Sequence, residues 1–135
     1  MLRAGNTFYS PTPDNRIPHL WIVLSDPDDD GFAICASVTS AQDDSERTTV
    51  CKKGDHPLIS HESVIFYVDA HEIDMIAVDV ALGSTIQGYT FRQEADCDSL
   101  LLERVRAGML VSQNVSEELQ EYCEGLWPHL KPATS

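Results

Sequence analysis

Between His19 and Val80 no apolar stripe reaches helix length, and short β-branched and aromatic runs alternate with turn-forming residues instead. A strand needs only a few such residues, whereas a helix must show an apolar face recurring about every 3.6 residues. The run His19-Leu-Trp-Ile-Val-Leu-Ser25 therefore predicts a strand, and Asp26-Pro-Asp-Asp-Asp-Gly31 a turn whose Gly31 is free to take positive φ. Phe32 to Thr39 returns as the second arm of a hairpin. Before it, Phe8 and Tyr9 anchor a short first strand in a polar opening broken by Pro11, Pro13 and Pro18. A polar loop, Ser40 to Arg47, leads to a strand over Thr48 to Cys51. Ser63 to Val68 and Ile73 to Val80 predict two further strands, with Asp69 to Glu72 as a polar link. Strands this short, spaced by turn chemistry, point to a small antiparallel barrel or sandwich.

The pattern changes after Ala95. Asp96-Cys-Asp-Ser99 offers N-cap oxygens, and Leu102, Val105 and Met109 follow at helical spacing. Asn114 with Glu117 three residues on resembles a capping box, and Leu119, Tyr122, Cys123 and Leu126 mark one face of a second helix. The expectation is a mainly β, α+β single domain over residues 1–135, with the barrel over roughly 5–90 and helices over roughly 95–127. A length of 135 residues suffices for one hydrophobic core without staples.

Charge narrows the functional classes. A formal net charge of -13 repels nucleic acid at long range, so any RNA site must gather the few cations together or borrow them from a partner subunit. Cys35, Cys51, Cys97 and Cys123 form no C-x-x-C pair, and Cys35 and Cys123 sit in apolar patterns as small core residues. Without a signal-peptide pattern, free thiols in a reducing cytoplasm are expected. No uninterrupted apolar run is long enough to cross a bilayer, so no membrane partner is expected.

Against this acidic background, Cys51-Lys-Lys-Gly-Asp-His-Pro-Leu-Ile-Ser-His-Glu-Ser63 gathers two lysines, two histidines and two serines around a turn. Histidine is the side chain that titrates nearest neutrality, and loops on rigid strands are where functional groups usually sit.

The order strand, turn, strand ending in Thr-Ser resembles the PemK/MazF family of toxin endoribonucleases. The matching residues are His19-Leu-Trp-Ile-Val-Leu-Ser25, Ser37-Val-Thr-Ser40 and Glu62-Ser-Val-Ile-Phe-Tyr-Val-Asp-Ala-His-Glu-Ile73. The resemblance covers roughly Gly5 to Val80. It implies an SH3-like barrel with helical additions, commonly a homodimer, that cleaves single-stranded RNA and is neutralised by an antitoxin protein. It carries the family's catalytic arginine onto His19 and its threonine onto Thr39. Imidazole in place of guanidinium is a departure, since only the latter stays charged and forks onto phosphate. Arg16 is near enough in sequence to act as a substitute donor.

The chemistry can also be read from the residues. Cleaving RNA without a metal needs a base for the ribose 2'-hydroxyl, an acid for the leaving 5'-oxygen and donors for the developing charge. His19 and Thr39 supply catalytic candidates, with Arg16, Ser40, Lys52, Lys53, His56 and His61 as substrate-binding ones. No cofactor is implied and no metal. The spacing of Cys51, His56 and His61 tempts a zinc reading, but a fourth ligand, His71 or Cys97, would have to be recruited. A Cys51–His61 thiol hydrolase lacks a marked thiolate or orienting group. The alternative is a non-catalytic, acidic SH3-like interaction module that binds a basic protein partner. In that reading Lys52 and Lys53 guard a sheet edge, and His19 and Thr39 serve only local hydrogen bonds.

Overall fold

The structure is a computed structural model that describes residues 1–11, 18–86 and 88–130. Five strands, β1 (Thr7–Pro11), β2 (Pro18–Val23), β3 (Phe32–Ser40), β4 (Val50–Cys51) and β5 (Ser63–Asp74), precede the helix α1 (Met75–Ala81). A small hairpin follows, β6 (Thr85–Ile86) and β7 (Tyr89–Thr90), then β8 (Arg92–Glu94), α2 (Ser99–Met109), α3 (Glu117–Leu126) and a 3-10 turn at Pro128–Leu130. The six-stranded sheet runs β4-β5-β3-β2-β1-β8, and every pairing in it is antiparallel. This is a mixed α+β fold: a curled antiparallel sheet with C-terminal helices.

The hairpin over the acidic turn forms as its residues demand. Leu20 stands opposite Val38 and Val23 opposite Cys35. Gly31 takes φ 90, and Asp28 Oδ1 accepts from the N–H groups of Asp30 and Phe32. These strands read as continuous apolar runs because both faces are covered. On one face Leu20, Ile22, Ile34, Ala36, Val38, Ile65 and Tyr67 pack against Leu101, Val105 and Met109 of α2 and Cys123 of α3. On the other, Phe8, Trp21, Val23, Ala33 and Cys35 meet Met75 and Val78 of α1, together with Phe91.

Three expectations are corrected. Ile73 to Val80 is not a strand: β5 runs unbroken from Ser63 to Asp74, and α1 begins at Met75. Asp74 decides the switch, because its carboxylate accepts from the N–H groups of Ile76 and Ala77 and caps the helix. The β-branched Ile76 and Val80 that suggested a strand face solvent, while Met75 and Val78 are buried at helical spacing. Asp69 to Glu72 is not a link but part of β5. Ser37 pairs with Phe66 and Cys35 with His71, so Ala36 alone faces the four residues Tyr67 to Ala70. That large bulge bends β5 and curls the sheet. Finally, α3 is capped by Ser116, whose Oγ accepts from the Leu119 N–H, while the Asn114 amide donates to Glu46. Strand β8, pairing with β1 from beyond the expected barrel, was not anticipated.

Candidate functional site

At the end of the sheet where β2 begins and β3 ends, a hollow of about 310 Å³ opens. His19, Thr39, Ser40, His61 and Ser63 supply its polar wall, and Tyr9, Leu20, Val38, Leu58 and Ile59 its apolar one. The hairpin register accounts for half of this. One step beyond the Leu20–Val38 pair, His19 and Thr39 occupy the same face and the same end of adjacent strands. His19 is half-buried and its Nδ1 lies 3.3 Å from the Val38 carbonyl oxygen.

The other half comes from the segment leading into β5. Ser40 pairs with Ser63 across β3 and β5, which brings His61 beside the end of β3. The Ser40 Oγ and His61 Nε2 lie 2.7 Å apart, and the Ser60 Oγ is 3.1 Å from Nδ1. Each imidazole nitrogen thus has a hydroxyl, and a neutral ring that donates from one must accept at the other. His61 is exposed, so its ring can meet a bound molecule. Ser60 was not among the expected residues; its position next to His61 was the only available signal.

Among the described residues no carboxylate lines this hollow. The nearest in sequence, Glu62, is held by Arg47 at 2.5 Å, and that hydrogen-bonded guanidinium keeps the Glu62 carboxyl below the usual glutamate range. In a chain of net charge -13, a concavity whose described polar wall consists of imidazoles and hydroxyls is chemically distinct from its surroundings.

Other expected site residues lie elsewhere. His56 is a packing residue, only 3 % exposed. Its Nε2 is 2.6 Å from the Ala95 carbonyl oxygen and its Nδ1 accepts from the Leu58 N–H at 3.1 Å. Thr7 Oγ1 donates to the same Ala95 carbonyl at 2.7 Å, so the ring ties the loop to the chain entering α2. With both nitrogens partnered and the ring enclosed, His56 ties loop and chain together and does not line the hollow. Lys52 and Lys53 are exposed in a turn closed by Asp55, which accepts from the Lys52 N–H, with Gly54 at φ 102. Neither lysine lines the hollow. Arg16 lies outside the described residues.

The thiol and zinc readings lose their footing. All four cysteines are buried and unpaired as free thiols. Burial pushes the Cys51 thiol up to about 11, and His61 partners Ser40 and Ser60 instead. Among the described residues no three of His, Cys, Asp or Glu cluster to hold a metal ion. No described helix is long and apolar enough to cross a membrane.

Compared with known proteins, the chain matches no family model, and no curated protein and no solved structure shows significant similarity to it.

Proposed function

We propose that the hollow binds single-stranded RNA and cleaves it without a metal, on an SH3-like barrel of the kind the PemK/MazF resemblance implies. The observation that carries the reading is the meeting of two imidazoles and the Thr39, Ser40 and Ser63 hydroxyls in one concavity, with no carboxylate among the described residues that line it. An anionic phosphodiester is favoured there by the hydrogen-bond donors that the rings and hydroxyls offer.

In this scheme one imidazole, neutral, takes the proton of the ribose 2'-hydroxyl as its oxygen attacks phosphorus. The other, protonated, gives its proton to the departing 5'-oxygen. The products are a 2',3'-cyclic phosphate and a free 5'-hydroxyl. His19 and His61 are the two proton-transfer groups, and the Thr39 and Ser40 hydroxyls donate to the non-bridging oxygens. The pairing of Ser60 with His61 Nδ1 supports a fixed ring orientation for that exchange.

The test is incubation of purified protein with a mixed-sequence RNA, with and without EDTA. Cleavage should persist in EDTA and leave 2',3'-cyclic phosphate ends. His19→Ala and His61→Ala should each lower the rate by roughly 10²–10⁴, the range for a positioned acid or base. Thr39→Ala should cost less, because it removes a donor rather than a proton carrier. Activity abolished by chelation and restored by a divalent cation would overturn the scheme. So would full activity in both histidine variants.

A further inference from the structure

A second concavity, about 420 Å³, adjoins the first on the sheet and differs from it in chemistry. Thr39 and Ser40 line both, so the two meet at the end of β3. Phe66 and Val68 of β5 supply an apolar wall to the second, and Asp44, Glu46 and Asn114 a polar one. Among the described residues no lysine or arginine lines it.

The strand register places an aromatic ring next to Thr39. Thr39 stands opposite Val64 and Ser37 opposite Phe66, so Thr39 and Phe66 share one face of the sheet on the diagonal of adjacent strands. Such diagonal neighbours lie about 7–8 Å apart, a gap that one nucleotide spans. The other sheet aromatics Phe8, Trp21 and Tyr67 are buried, whereas Phe66 is 43 % exposed. An uncovered ring on a sheet face is a platform on which an unpaired base can stack.

The polar wall selects what enters. Carboxylates repel phosphate, so the sugar-phosphate chain is left to the first hollow with its imidazoles. What a carboxylate accepts from is an N–H donor, and adenine, cytosine and guanine carry one in their exocyclic amino groups, where uracil has carbonyl oxygen. Burial works to raise the Glu46 carboxyl, but hydrogen bonds from Ser112, Thr48 and Asn114 outweigh it and hold the group below the usual glutamate range. Those three donors occupy Glu46, at 2.5, 2.5 and 2.9 Å, so reading a base falls to the exposed Asp44.

We propose that the second concavity is a base-recognition subsite: a nucleotide next to the scissile phosphate stacks its base on Phe66 and donates from its amino group to Asp44. The inference rests on the RNA reading above. It adds a preference for a base with an amino group over uracil at that position.

The experiment titrates full-length protein into end-labelled hexaribonucleotides of adenine, cytosine or uracil, made uncleavable by 2'-O-methyl groups, and reads fluorescence anisotropy. The adenine and cytosine hexamers should bind about tenfold more tightly than the uracil one, as a hydrogen bond to a charged acceptor implies. Phe66→Ala should weaken their binding about tenfold, within the range of base–aromatic stacking. Phe66→Leu, which keeps apolar bulk on the strand, should weaken it as much, and Phe66→Tyr should preserve it. Asp44→Ala should erase the preference over uracil. Val80→Ala, at a site 82 % exposed on α1, should change nothing. In cleavage of mixed-sequence RNA, Phe66→Leu should raise KM and leave kcat alone, because the ring touches no reacting atom. Metal-independent cleavage with equal hexamer affinities in wild type and Phe66→Leu would overturn the subsite and leave the RNA reading standing. No cleavage and no binding of any hexamer would overturn both. A dimer in sedimentation that Phe66→Ala dissolves would overturn the subsite too, since a second copy would then cover the ring.

Discussion

Replacing Gly108 with alanine sets two physical effects of opposite sign against each other. Gly108 sits in the last turn of α2, where a helix interior favours alanine over glycine by about 1 kcal/mol. On propensity alone Gly108→Ala should stabilise. The packing says otherwise. A Cβ at Gly108 would stand 1.9 Å from the Tyr67 hydroxyl oxygen, 2.5 Å from Thr49 Oγ1 and 2.6 Å from the Tyr67 ring. Tyr67 is 1 % exposed, donates from Oη to the Val105 carbonyl at 2.9 Å and pairs with Thr49 at 2.7 Å. It has nowhere to retreat without surrendering those bonds. Overpacking costs about 1–3 kcal/mol, and a buried polar group left unpaired about 1–3 kcal/mol more. Subtracting the propensity gain leaves a net loss of about 1–5 kcal/mol, large beside the roughly 5–15 kcal/mol by which a domain is stable.

Urea unfolding followed by circular dichroism measures the change. Repeating it in a Tyr67→Phe background removes the closest atom, so the same substitution should cost less there, by at least about 0.5 kcal/mol of coupling. A rise in the unfolding midpoint of Gly108→Ala would refute the close approach of α2 to β5. Equal costs in both backgrounds would refute the part assigned to the hydroxyl.

His56→Ala should lower stability by about 1–3 kcal/mol, because it strands the Leu58 N–H and removes a donor from Ala95. In the proposed cleavage reaction the rate per folded molecule should stay unchanged; a specific loss of rate would return His56 to the site. Glu46→Gln tests the linkage at the helix turn. The carboxyl is depressed in the folded state, so its stabilisation is present above the unfolded glutamate pKa and fades as pH falls through the folded one. Thermal melts across the acid range should show wild type ahead of Glu46→Gln near neutrality and the gap closing on acidification. A gap constant with pH would contradict the assignment.

Local chemistry determined a good deal on its own. The hairpin from His19 to Thr39 was legible because a dense Asp–Gly turn sits between two apolar runs, and a hairpin needs little beyond its own residues. Helix α2 was legible because Leu102, Val105 and Met109 recur at helical spacing after N-cap oxygens, although Leu101 and not Leu102 takes the fully buried place beside Val105 and Met109. From the hairpin register followed the shared end of His19 and Thr39. The end of β5 was not legible, because Ile73 to Val80 carries β-branched residues at a strand's period, and the Asp74 cap with tertiary burial of Met75 and Val78 overrode that preference. His56 and His61 are alike as letters in one loop. Only the folded chain separates them: His56 is enclosed under Ala95, while His61 is held open by two serines at the mouth of the hollow. The bulge at Tyr67 to Ala70 was equally hidden, since it exists only in how β5 pairs with β3. Contacts between residues close in sequence are encoded in local pattern. Which side chain ends up enclosed, and where a strand bulges, depends on what the rest of the chain packs against them.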